Sequence, residues 1–165
     1  MQTKTESTRT TGFLTLFDLQ TTFFKRAIEG VSEADLHSRL NTKANHMAWL
    51  AGSAVQQRFL MCSETNPGLK QTGGELFSNH QGIQDEAIYP SAEIYLKDWE
   101  RVSPAARHAL VMIDDAKLDS EFDAMPMKMS YYDLISFTIY REANLIGQLA
   151  LWRRLLNYPA IRYDG

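Results

Sequence analysis

Four histidines, one cysteine and an acidic run are the side chains whose chemistry would be most telling, and spacing decides what each can do. A metal held between helices needs His, Asp or Glu at i and i+3 or i+4, which places two donors on one face. His37, His46, His80 and His108 are mutually distant and no Glu-x-x-His pair occurs, so a ferritin-like di-iron centre has no donor set. Each histidine reads as a surface or helix-end residue, and His46, near the start of a long helix, is the one that could face inward. Asp114, Asp115, Asp119, Glu121 and Asp123 lack the central glycine and closing glutamate of a calcium loop, and read as a solvated connector. Cys62 would be a nucleophile only beside a base or cation that the sequence does not place; a buried, inert thiol is the simpler reading. Gly73-Gly74 is not continued into a phosphate loop, and no strand precedes it.

Arg141 differs from these. It falls between Thr138 and Leu145 on what reads as the inward face of the last helix, where an unpaired guanidinium is costly to desolvate. Two readings stand: it pairs with a carboxylate or reaches along its stem to the surface, or it receives an anionic ligand. Trp49, Trp99 and Trp152 all fall within helical patterns and serve either as core or as pocket wall, core being the simpler.

The elements that must position these residues follow from periodicity. Phe13, Leu16, Phe17, Gln20, Phe24, Ala27 and Ile28 keep helical spacing, with Gly30 as the stop. Ser32, followed by Glu33 and Asp35, caps one or two further turns up to about Leu40. Met47, Leu50, Ala51, Ala54, Arg58 and Met61 make a second long helix with Asn45 as its cap. From Ser63 to Pro90 the pattern dissolves into TNPG, QTGG and SNHQG, a long loop that either crosses over between distant elements or covers a site. Helical spacing resumes at Ser91 through Tyr95, Leu96, Trp99 and Val102; Pro104 either starts a new segment or kinks the same helix. Met125, Met127 and Met129 alternate around Pro126 as a short extended stretch. The last helix opens on a Ser130/Asp133 capping box and carries Leu134, Phe137, Thr138, Arg141, Leu145, Gln148, Trp152 and Leu155 on one line. The sum is an all-α chain: one domain over 1–165, flexible over 1–11, built as a four-helix bundle with a long crossover connection.

Composition narrows the partners. With 165 residues, 44% hydrophobic and 22% charged, the chain is an ordinary folded one. A net charge of -3 and a pI of about 5.8 give no overall pull toward phosphate backbones, so nucleic acid is not expected. The polar N-terminus is no secretory signal and no apolar run reaches membrane-spanning length, so no membrane association is expected. A single cysteine fits a reducing compartment, and the cytoplasm is the expected location.

The segments NHMAWLAGSAVQQRFL, ELFSN, YPSAEIYLKDWERV and REANLIGQLALWRRLLNYP together resemble the DinB-like family of bacterial four-helix bundles. The most specific part is Ile146-Gly147-Gln148-Leu149 followed by Arg153-Arg154-Leu155. The resemblance implies three metal-binding histidines, one after Trp-x-x-Gly and two spaced by four before Gly-Gln. Here those positions hold Ser53, Arg141 and Leu145. Serine is a weak ligand, arginine is a cation and leucine has no lone pair, so the water-activating metal chemistry of the family is not expected. What the resemblance implies is the scaffold, a candidate pocket at Trp49, Ser53, Arg141, Asn144 and Leu145, and a homodimer through an exposed apolar helix face. The expected function is binding of an unidentified small molecule or partner, with no metal and no cofactor. The alternative is a small-molecule transferase or hydrolase that works from the same pocket through Arg141 with Asn144 or His46.

Overall fold

Local signals set where each helix begins. Ser32, Ser91, Asp114 and Ser130 each turn a side-chain oxygen onto a backbone N–H of the following first turn, which satisfies donors that an isolated helix end leaves open. The computed structural model describes residues 4–122 and 128–164, the His80 side chain excepted. In chain order the helices are α1 (Thr11–Ile28), α2 (Glu33–Leu36), α3 (Met47–Met61), α4 (Ala92–Met112), α5 (Asp115–Asp119) and α6 (Tyr131–Leu155). Short 3-10 segments lie at Thr8–Thr10 and Gly74–His80, and the two-residue strands β1 (Glu121–Phe122) and β2 (Met129–Ser130) pair antiparallel, Glu121 opposite Ser130. The chain is thus predominantly helical, and among the described residues no helix is long and apolar enough to cross a membrane.

Pairwise contacts fix helix directions. Phe13 packs on Tyr132 and Arg153 reaches the carbonyl of Ala27, so α1 and α6 run the same way. Asp18 with Arg107 and Lys25 with Glu100 make α1 and α4 antiparallel. Gly52 lies against Tyr95 and Arg58 against Ser103, so α3 and α4 are parallel. Two parallel neighbours need a connection that brings the chain back along the length of α3, and residues 62–91 supply it. This connection is not bare loop: Phe77, in its 3-10 segment, is buried against α3.

Several expectations need correction. The N-cap of α3 is His46, not Asn45. Of the two readings of Pro104, the new segment is wrong and the single helix holds, because α4 continues through it; the lost N–H falls on an exposed residue, where water can serve the freed carbonyl. The acidic stretch expected to be a plain connector contains α5, with Asp114 as its cap. Of the methionine alternation, Met129 lies in β2, whereas Met125, Pro126 and Met127 lie outside the described residues, as does Asp123. Within the N-terminal segment, Ser7 and Thr10 are buried and Ser7 donates to Asp115.

The largest correction concerns α6. Its buried line is Ile135, Ile139, Glu142, Ile146, Leu149 and Arg153, with Leu145 and Trp152 beside it. Phe137 and Leu155, placed inward by the sequence pattern, are about half exposed. The true face carries two charged residues, Glu142 and Arg153, which a reading by polarity assigns to solvent.

Candidate functional site

The positions singled out by the sequence lie where α3 meets α6. Arg141 is half-buried and donates from Nη2 to Ser53 Oγ at 2.9 Å. Ser53 and Leu145 are both buried, and Trp49 stands one turn before Ser53 on α3. Asn144 does not join them: it is exposed and accepts a hydrogen bond from Gln148 on its own helix at 2.7 Å. Burial pulls the Arg141 guanidinium below its ordinary value, since desolvation opposes the charged form. The partner of Arg141 is a neutral hydroxyl and not the carboxylate that one reading required.

That carboxylate is engaged elsewhere. Glu142, next in sequence, faces the core and receives Arg58, whose Nε and Nη2 reach its two oxygens at 3.0 and 2.6 Å. Arg58 also donates to Thr21 Oγ1, Ser103 Oγ and the carbonyl of Phe17, and its guanidinium carbon lies 3.8 Å from the Phe17 ring centre and 3.6 Å from that of Trp99. Every long helix therefore contributes to holding one cation. Burial pushes the Glu142 carboxyl above the usual carboxylate range, with Arg58 opposing that rise. This centre was not read from the sequence. Arg58 stood in the α3 pattern, but its partner lay on a face that the α6 pattern did not include.

The remaining chemistry-bearing residues have structural work. His46 is buried, accepts the Trp49 N–H on Nδ1 at 3.1 Å, and packs on His37 and Tyr89. Burial first, and then the neighbouring His37, depress its pKa to about 4, so the neutral ring that can accept a hydrogen bond is favoured. His37 sets its ring nitrogens against the carbonyls of Glu33 and Tyr89, and His108 is exposed on α4. Cys62 is buried with its thiol on the carbonyls of Arg58 and Phe59, and burial raises its pKa, the opposite of nucleophile activation. Asp115 and Asp119 accept from Ser7 and Arg9. Among the described residues no three His, Cys, Asp or Glu side chains gather as metal ligands. At the three positions where the resemblance implies ligands, the donor set is one hydroxyl already bonded to a guanidinium, that guanidinium, and a buried leucine. It does not fit a divalent cation.

Comparison of the chain with family models, curated proteins and solved structures returns no match.

Proposed function

We propose that the chain is a DinB-like four-helix bundle with a crossover between α3 and α4, without the family's metal-dependent chemistry, and that it is a binding module for a small anion-bearing molecule. On this reading it is cytoplasmic and works as a homodimer. The observation that carries it is the contrast between two arginines. Arg58 is neutralised by a bidentate carboxylate, whereas Arg141 is half-buried on a neutral serine. A guanidinium held in place, partly desolvated and without a counter-ion among the described residues is ready to take a carboxylate or phosphate group. The transferase or hydrolase reading loses its supports, because Asn144 points to solvent and His46 Nδ1 is committed to a helix cap.

The test is titration of the full chain with acetate and with inorganic phosphate while the Arg141 Nε–H resonance is followed. A saturable shift that is lost in Arg141→Gln, in a protein that still melts cooperatively, is the expected result. A resonance indifferent to both anions would overturn the reading, and so would a stoichiometric metal ion in chelator-free protein bound at Ser53 and Arg141.

A further inference from the structure

Trp49 Nε1, Gln71 Oε1 and Tyr95 Oη are buried polar atoms with no hydrogen-bond partner among the described residues, and all three belong to side chains around Gly52 and Phe77. Gln71 donates from Nε2 to the carbonyl of Gly52 at 3.0 Å, which leaves its oxygen unserved. A Cβ on Gly52 would lie 2.2 Å from Phe77 Cζ and 2.6 Å from Tyr95 Oη. The Phe77 ring centre is 6.3 Å from that of Trp49 and 6.0 Å from that of Tyr89. One donor, one acceptor and one hydroxyl able to be either thus stand on side chains gathered about Gly52, against which Phe77 packs with a ring that offers none of them a conventional hydrogen bond.

Buried polar groups are nearly always paired, and a group left unpaired calls for an explanation. Three in one place, beside a glycine that admits a ring to the backbone, describe a polar lining with the wrong occupant. Phe77, unlike Trp49 and Tyr95, is not carried on a long helix. It sits in a 3-10 segment entered through Gly73 at φ 69° and broken at Ser78 and Asn79, the latter at φ 54°.

We infer that the space filled by Phe77 is a ligand site in its closed form. Its ligand is a small planar ring carrying both a hydrogen-bond acceptor, for the Trp49 N–H, and a donor, for Gln71 Oε1. Binding swings Phe77 out, and the ring that replaces it keeps the apolar contacts while serving the three polar atoms. Because Phe77 competes for the same space, the affinity of the native chain is lowered by the fraction of molecules that are open. The site adjoins the Arg141 pocket through Trp49 but uses no atom of the guanidinium, so Arg141→Gln, which abolishes the anion response, is expected to leave 2-pyridone binding within about twofold, and the two readings are told apart by that variant.

The probe is 2-pyridone, a six-membered ring with adjacent N–H and C=O, with benzene as the apolar control, each titrated calorimetrically into the full chain and into Phe77→Ala. The variant is expected to bind 2-pyridone at least tenfold more tightly than the native chain does and at least tenfold more tightly than it binds benzene. Adding Trp49→Phe should take back most of that preference. Benzene binding as well as 2-pyridone, or neither ligand binding a folded variant, overturns the proposal. Should Phe77→Ala fail to fold, hydrogen exchange decides on the native chain: amides of residues 74–80 exchange faster under saturating 2-pyridone if Phe77 is expelled, and unchanged or slower exchange refutes it.

Discussion

Arg58 and Glu142, 84 residues apart, meet as a bidentate pair with essentially no solvent exposure, at 3.0 and 2.6 Å. Desolvating both charges is expensive, and the mutual attraction offsets it only because the leftover guanidinium donors also find oxygens. Both bonds of the fork close only where Arg58 of α3 and Glu142 of α6 stand level, so the pair ties the register of the two helices.

Removing one partner leaves the other charge buried alone. Glu142→Gln should therefore lower unfolding stability by about 3–5 kcal/mol, read by urea denaturation. Arg58→Met with Glu142→Leu, which removes both charges and keeps the volume, should recover most of the loss. Full loss in the double variant would mean that the polar contacts to Thr21 and Ser103 matter more than the ion pair.

Gly52 tests how tightly the 62–91 connection is seated. An added methyl meets Phe77 Cζ at 2.2 Å and Tyr95 Oη at 2.6 Å, contacts that require one ring to move. Gly52→Ala should destabilise by about 1–3 kcal/mol, as overpacking does, and Gly52→Ala combined with Phe77→Ala should cost less than the sum of the two changes, since the second removes the nearer obstacle. Additive losses would place the strain on Tyr95 instead.

Gly147 is the counterpart. It lies inside α6, exposed, and an added Cβ meets nothing within 4 Å. Among the described residues no contact calls for glycine there, so Gly147→Ala should raise stability by about 0.5–1 kcal/mol through helix propensity alone, seen as a higher melting temperature. A loss would indicate that something outside the single chain approaches this backbone.

What the sequence made legible was what is local. Ser32, Ser91 and Ser130 as caps, Gly30 at φ 72° as a stop, and the spans of the long helices are written in residues near one another. The partner of Arg58 was not, because an ion pair between helices has no spacing rule, and Glu142 made the buried line of α6 look polar. The line through Phe137 and Arg141 carries one charged residue, whereas the one through Ile139 and Glu142 that is actually buried carries two, Glu142 and Arg153. At the candidate site, Ser53 and Arg141, which the resemblance set beside each other, are joined by a hydrogen bond, and Leu145 lies buried one turn beyond Arg141, whereas Asn144, one residue before Leu145, turns outward by the helical step of about 100°. The seating of Phe77 was illegible for another reason: a single aromatic in a stretch of turn residues has no period to betray it.

His46 supplies the pH dependence. As a buried cap it must keep Nδ1 unprotonated to accept the Trp49 N–H; burial first, then His37 and Arg39, disfavour a further positive charge, while its own backbone hydrogen bond and Asp85 oppose them. Its pKa falls from the ordinary 6.5 to about 4 on folding. A depressed value means that the unfolded chain binds the proton first, so the contribution is complete above pH 6.5 and is lost as pH falls toward 4. The loss amounts to about 3 kcal/mol. His46→Asn keeps an oxygen for the cap and removes the titration, so it should flatten the stability profile between those two pH values while leaving stability near pH 7 within about 1 kcal/mol of the native chain. A profile as steep in His46→Asn as in the native protein would assign the acid sensitivity to another group.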